Sequence, residues 1–257
     1  MTGLGRDSAG TDVALPGGAV VRVSWAAMTN VGRKRKANED SYIARSPIFA
    51  VADGMGGHLS GDLASAAVVR RLGEEVTGDF VAPQLIEKAL EVASADIDLI
   101  AGDSELGVGT TVTGAILTLI DGRANFAVFN IGDSRVYRFE RNSLKQVTID
   151  HSLVQELVDA GTISKAQALK HPDGNIITRA VGFRSQPTPD FWMIPLKPGL
   201  RLLLCSDGLT GELDDKRIRL HLAAGLSTKE TASSLVDAAL ASGGRDNVTV
   251  IVIDVLS

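Results

Sequence analysis

Apolar residues recur along this chain with two different periods, and the period changes where Gly, Pro and Asp interrupt it. Residues 20–29 and 42–52 have the β-branched and apolar density of strands, the second closing on Ile48-Phe49-Ala50-Val51-Ala52 before Asp53-Gly54 ends it. Two helices are predicted next. In the first, Ala64, Val68, Leu72 and Val76 recur every four residues; in the second, Ile86, Ala89, Leu90, Ala93, Ile97 and Ile100 keep a helical stripe from Pro83 onward. Each stripe needs a sheet or another helix to cover it. Residues 110–120, 124–131 and 134–139 then read as strands, the first two joined by the tight turn Asp121-Gly122, so antiparallel pairing is expected. Residues 151–160 look helical and stop at Gly161, and 162–184 form a polar surface excursion. A short apolar strand over 201–205, helices over 214–224 and 228–241, and a closing strand over 248–256 complete the order. Residues 1–19, rich in Gly, Ser, Asp and Thr without a period, are expected to form a flexible tail. Strands, helices, strands, helices, strand is an order that favours α+β over a doubly wound parallel sheet.

Composition narrows the classes. A length of 257 residues suits one large domain or two small ones. With 44% hydrophobic and 22% charged residues, it can bury a core without staples. The single cysteine, Cys205, excludes an intrachain disulfide framework and any multi-cysteine zinc site. No apolar run approaches the roughly 18 residues that span a bilayer, and the first twenty residues lack the basic-then-apolar order of a signal peptide, so a cytoplasmic location is expected. A net charge of −5, with one basic run at residues 33–36, argues against a nucleic-acid partner.

Four aspartates share one local context, an apolar strand running into an Asp flanked by Gly, Ser or Asn: Asp53 in VADGMGG, Asp133 in NIGDSR, Asp207 in LLLCSDG and Asp246 in GGRDNVTV. Any one of them alone reads as a turn residue. If the strand ends lie side by side, the carboxylates meet on one rim and repel unless a cation neutralises them. The donors are oxygens, with no His or Cys cluster of zinc spacing, which favours hard Mg²⁺ or Mn²⁺. Gly54 and Gly56-Gly57 would let backbone carbonyls and water come close. Carboxylates that hold two such ions can place a deprotonated water for in-line attack on phosphorus without a protein nucleophile. Arg35, just ahead of Glu39 and Asp40, offers a bidentate fork for a phosphoryl group.

The ordered set GRKRKANED, DGMGGH, GTT, NIGDSR, DHS, HPDGNIITRAVG, LLLCSDGLT and GGRDNVTVI, spread from residue 23 to 253, resembles the metal-dependent protein serine/threonine phosphatases of the PPM family, in their bacterial form. The resemblance implies an αββα sandwich, two antiparallel sheets flanked by helices, as one domain over 20–257 with a flap at about 151–184 that affects substrate choice. It also implies that Asp53 bridges two metals with the Gly54 carbonyl on one of them, that Asp207 and Asp246 hold the other, and that Glu39 and Asp40 bind directly or through waters. Arg35 would hold the substrate phosphate, Asn247 would orient Asp246, and Asp133 would join Asp207 on a weaker third ion. The implied reaction is hydrolysis of phosphoserine and phosphothreonine by metal-bound hydroxide, with no phospho-enzyme intermediate and with Mn²⁺ or Mg²⁺ as cofactor. The implied partners are phosphorylated proteins and a cognate Ser/Thr kinase, for a monomer with no nucleic-acid or membrane partner.

Two positions depart from the family pattern. The place of the general-acid histidine of animal-type members is taken by Met55, with His58 the nearest histidine, and an aspartate common four positions after Asp207 is Gly211. The stretch SDGLTGELDD also resembles phosphatases that accompany bacterial type VI secretion kinases. Two alternatives stand beside the main reading: a catalytically inactive phosphopeptide-binding module, and a small-molecule phosphoesterase. Cysteine-dependent phosphatase chemistry fails, because Gly211 stands where an Arg would follow Cys205, which reads instead as a buried strand residue. Trp25, Trp192 and Phe129 read as sheet-packing groups.

Overall fold

The computed structural model of the chain describes residues 1–56, 60–102, 107–183 and 186–256. In chain order its first half comprises β1 (Gly3–Gly5), β2 (Ser8–Ala14), β3 (Val20–Asn30), β4 (Asp40–Arg45), β5 (Ile48–Gly56), α1 (Gly61–Glu75), α2 (Pro83–Ala101), β6 (Val108–Thr110), β7 (Val112–Ile120) and β8 (Arg123–Ile131). The second half comprises β9 (Arg135–Glu140), β10 (Ser143–Gln146), α3 (Leu153–Asp159), α4 (Lys165–Ala168), β11 (Val181–Gly182), β12 (Asp190–Pro195), β13 (Arg201–Cys205), α5 (Asp207–Thr210), α6 (Asp215–Leu222), α7 (Thr228–Ser242) and β14 (Val248–Leu256).

Two sheets result. One runs β1-β4-β5-β7-β8-β12, with β6 on β5 and β11 on β6; the other runs β10-β9-β13-β14-β3-β2. Strand alternation decides what each face covers. On β13, Leu202 and Leu204 face the layer between the sheets, with Phe49, Val51, Phe126, Val128, Ile251 and Ile253, while Leu203 and Cys205 face α6 and α7. On β5, Ile48, Ala50 and Ala52 point the other way, under α1 and α2. The predicted stripe of α1 is buried at Ala64, Val68 and Leu72, and that of α2 at Ile86, Ala89, Leu90, Ala93 and Ile97; Ile100 falls on the exposed side. The layers are therefore helices, sheet, sheet, helices, the sandwich that the family resemblance implies and within the α+β class that the element order favours.

The strand expected over 42–52 is a hairpin, β4 and β5, turning at Ser46-Pro47, and β5 continues through Asp53-Gly54 to Gly56. The segment 1–19, expected as a tail, instead forms two edge strands. β1 lies parallel to β4 in one sheet, and β2 lies antiparallel to β3 in the other. Ladder hydrogen bonds at a sheet edge depend little on side-chain hydrophobicity, so a Gly- and Ser-rich segment can be ordered there. Trp25 assists, its Nε1–H lying 2.9 Å from Arg6 O and 3.1 Å from Ala44 O. β10, β11, β12, α4 and α5 carry too few periodic positions to have been predicted.

Phe49 is fully buried between the sheets, edge-on to Trp25 with ring centroids 5.2 Å apart. Phe49→Ala is expected to lower unfolding stability by about 3–5 kcal/mol, read from urea denaturation, through lost transfer energy and the cavity left behind.

Candidate metal centre

The acids meet where the sheets end. β4 and β5 pair with Asp40 directly opposite Asp53. β13 delivers Asp207 at the start of α5, and Asp246 stands just ahead of β14. Asp133 lies in the loop between β8 and β9. Asp246 thus departs from the pattern read in the sequence, since its strand follows it.

Main-chain contacts seat these residues. The Asp53 carbonyl accepts from the Thr111 N–H at 2.9 Å and from Thr110 Oγ1 at 2.8 Å, and the Asp53 N–H donates to Thr111 Oγ1 at 3.2 Å. The glycines after Asp53 and Asp207 are not turn formers. A Cβ on Gly54 would lie 2.0 Å from the Gly61 carbonyl oxygen, and one on Gly208 would lie 1.9 Å from that of Asn247. Only glycine permits so close an approach of backbones.

The carboxyls crowd one another. Asp40 is fully buried; its Oδ2 accepts from Ser206 Oγ at 2.9 Å and Thr249 Oγ1 at 2.6 Å, while its Oδ1 has no partner. Burial, outweighing those two hydrogen bonds and joined by repulsion from Asp207 and Asp246, pushes its pKa up to about 7. Asp53 is held well above the usual carboxyl range by burial and by repulsion from Asp40, Asp207 and Asp133. Burial, with Asp246 beside it, likewise raises Asp207, whose Oδ1 is buried without a partner. Asp133 is pushed up to about 7 by burial together with Asp207 and Asp150. Glu39 is raised, mainly by burial.

Arg35 and Asn247 complete the rim. The Arg35 guanidinium, half-exposed, pairs with Asp246, 2.5 Å from Nη2 to Oδ2. Asn247 meets Asp246 through its backbone N–H, at 2.8 Å. Its side chain instead grips the segment that carries Arg35 and Glu39, accepting from the Glu39 N–H at 2.8 Å and donating to the carbonyls of Val31 and Ala37 at 2.9 and 3.0 Å. Sequence reasoning missed Ser206 and Thr249. Both lie inside quoted motifs, Ser206 directly before Asp207 and Thr249 on β14 three residues after Asp246.

Among the described residues no three His, Cys, Asp or Glu side chains are already closed into a coordination shell. The donor set still fits hard cations. It consists of carboxylate oxygens, two of them buried without a hydrogen-bond partner, and positive charge would relieve their repulsion. At Met55 and Gly211 the structure offers no acid. Glu212, next to Gly211, is bound to Arg245 at 2.9 Å. His58 and Gly57 lie outside the described residues. Cys205 is buried, its thiol pushed up to about 12 by burial, as befits a packing residue rather than a nucleophile.

Residues 33–242 match the family model described as Protein phosphatase 2C. The chain belongs to the protein phosphatase 2C family. It is 38% identical over 240 residues to the serine/threonine phosphatase stp of Listeria welshimeri, covering 88% of this chain and 93% of that one. The solved catalytic domain of the serine/threonine protein phosphatase PstP, in complex with 2 manganese ions, is 35% identical with a TM-score of 0.76, over 92% of this chain and 99% of that one. PppA, a regulatory component of the type VI secretion system in Pseudomonas aeruginosa, is 29% identical with a TM-score of 0.81, over 96% of this chain and 100% of that one. This phosphatase is accordingly a metal-dependent protein serine/threonine phosphatase, and phosphorylated proteins are its substrates.

Asp40, Asp53, Asp133 and Asp207 stay protonated in the metal-free fold at pH values where an unfolded aspartate, near 3.8, has ionised. The native state therefore binds more protons than the unfolded one, and raising the pH costs stability. We expect the metal-free phosphatase to lose stability from about pH 4 to about pH 8, and Asp53→Asn to flatten that slope. Thermal unfolding in chelator across this range measures both.

Proposed function

We propose that Asp53, Asp207 and Asp246, with the Gly54 carbonyl and with Glu39 and Asp40 directly or through water, hold two Mn²⁺ or Mg²⁺ ions, and that Arg35 holds the phosphate to be cleaved. Asp133 serves a third, weaker ion with Asp207. Such ions, when bound, acidify water and neutralise charge on phosphate oxygens. The observation that carries this reading is the group of buried, mutually repelling carboxyls, two with unpartnered oxygens, beside a half-exposed guanidinium.

Each side chain then has a distinct task. Asp53, opposite Asp40 and beside Asp207, sits where one carboxylate can serve both ions. Asp40, already bonded through Oδ2 to two hydroxyls, offers Oδ1 alone. Arg35 faces Asp246, Asp53 and Asp207, so its planar fork orients the phosphoryl group over the acids. Asn247 fixes the spacing between Asp246 and the segment bearing Arg35. The enzyme so built removes phosphate placed on Ser and Thr by a partner kinase.

Asp53→Ala and Asp207→Ala are each expected to abolish hydrolysis of a phosphothreonine peptide while the metal-free fold is kept or stabilised, because a buried carboxyl that the fold must either neutralise or hold against its neighbours is removed. Turnover together with thermal unfolding checks both halves, and an active Asp53→Ala enzyme would refute its central role. Arg35→Ala should raise KM about 10- to 150-fold, the loss of a charge-assisted phosphate contact of about 1.5–3 kcal/mol. An unchanged KM would remove Arg35 from phosphate binding.

A further inference from the structure

His151 stands at the base of the flap, buried, in a set of contacts that the reaction as described above does not use. Its Nδ1 accepts the N–H of Gly132 at 3.2 Å, and Gly132 immediately precedes Asp133. A backbone N–H can only donate, so Nδ1 is the bare nitrogen and Nε2 carries the proton. That Nε2–H points at Asp190 Oδ2, 3.1 Å away on β12. The other oxygen of Asp190 accepts from Arg179 Nη1 at 3.2 Å, and Arg179 lies in the returning limb of the flap.

The main chain of His151 doubles these links. Its N–H donates to the Gly132 carbonyl at 2.9 Å, and its carbonyl accepts from the Thr178 N–H of the flap at 2.8 Å. Asn130, opposite Asp190 in the β8–β12 ladder, donates to the same Gly132 carbonyl at 2.9 Å. Both main-chain polar groups of Gly132 thus depend on His151 and its neighbours. The flap helices α3 and α4 bury none of their own side chains, so polar tethers at its base hold the flap more than packing does.

We propose that His151 is a positioning residue that locks the Asp133 loop to the flap, with Asp190 and Arg179 as the tether, so that a substrate engaging the flap also orders Asp133. The functional half rests on the role proposed above for Asp133; the mechanical half does not. An imidazole suits the task because its two nitrogens, on opposite sides of one rigid ring, accept from the loop and donate to the tether at once.

Hydrogen exchange on the full chain, resolved at residues 130–134 and 176–182, tests the coupling. Arg179→Gln, a half-exposed position with no contact to the loop, should speed exchange at the Gly132 amide at least threefold with global unfolding unchanged. His151→Gln, which can reach Asp190 but not the Gly132 N–H, should do so about tenfold or more. His151→Asn, whose Oδ1 replaces Nδ1 but which does not reach Asp190, should slow Gly132 exchange from the His151→Gln level to about that of Arg179→Gln and leave the flap amides fast. Unchanged exchange at Gly132 in both Arg179→Gln and His151→Gln overturns the proposal. In turnover assays Arg179→Gln should raise KM for a phosphopeptide more than for a small aryl phosphate, which does not reach the flap; equal effects would overturn the link to substrate. Full activity in Asp133→Ala would dismiss the ion role of Asp133 without touching the exchange result, so the two failures are told apart.

Discussion

Repulsion among carboxyls that the fold will not let separate is the constraint on which this phosphatase turns. Asp40 and Asp53 are fixed opposite each other by strand register, Asp207 and Asp246 arrive on the facing sheet, and the two apolar layers behind them prevent either sheet from yielding. Left alone, such a group would protonate or splay. Here the backbone contacts at Gly54 and Gly208 and the hydroxyls of Ser206 and Thr249 oppose splaying, so the tension is relieved through charge. An acid-lined end that stays assembled without its ions is a preorganised one, and preorganisation is what lets electrostatic catalysis act without reordering at each turnover.

Core elements were legible in the sequence because their burial leaves either a periodic stripe or an unbroken apolar run. The stripes of α1 and α2 follow from one buried face and recur every three to four residues, while β13 and β14, buried on both faces, read as short continuous apolar runs. The N-terminal strands were not legible, since an edge strand is held by its ladder and needs no apolar signature. Nor was the β4–β5 hairpin, although Arg45-Ser46-Pro47 breaks the apolar run there: two strands joined by so tight a turn read as one long strand when the break is passed over. One pairing, β1 with β4, is parallel, a detail no local pattern encodes.

At the candidate site, the four aspartates read from their Gly, Ser or Asn neighbours lie together in the fold, for a partly different reason than the turns those neighbours suggest. The glycines after Asp53 and Asp207 serve contact between backbones rather than turns. Asn247 supports Asp246 through its main chain and spends its side chain on the Arg35 segment, which no motif could have indicated. The hydroxyls around Asp40 were hidden because Ser and Thr are common in strands, and only the three-dimensional meeting of β4, β13 and β14 gives Ser206 and Thr249 a shared target.

Gly54 and Gly208 also bear on how such a protein would decay. An acid here can be lost by one base change with relief rather than injury to the fold, so activity is easily abandoned. The glycines cannot follow, because any side chain would strike a carbonyl oxygen about 2 Å away. A descendant that has given up catalysis should therefore keep its glycines as a fossil imprint of the vanished centre, and that imprint would separate a lapsed phosphatase from a chain that never was one.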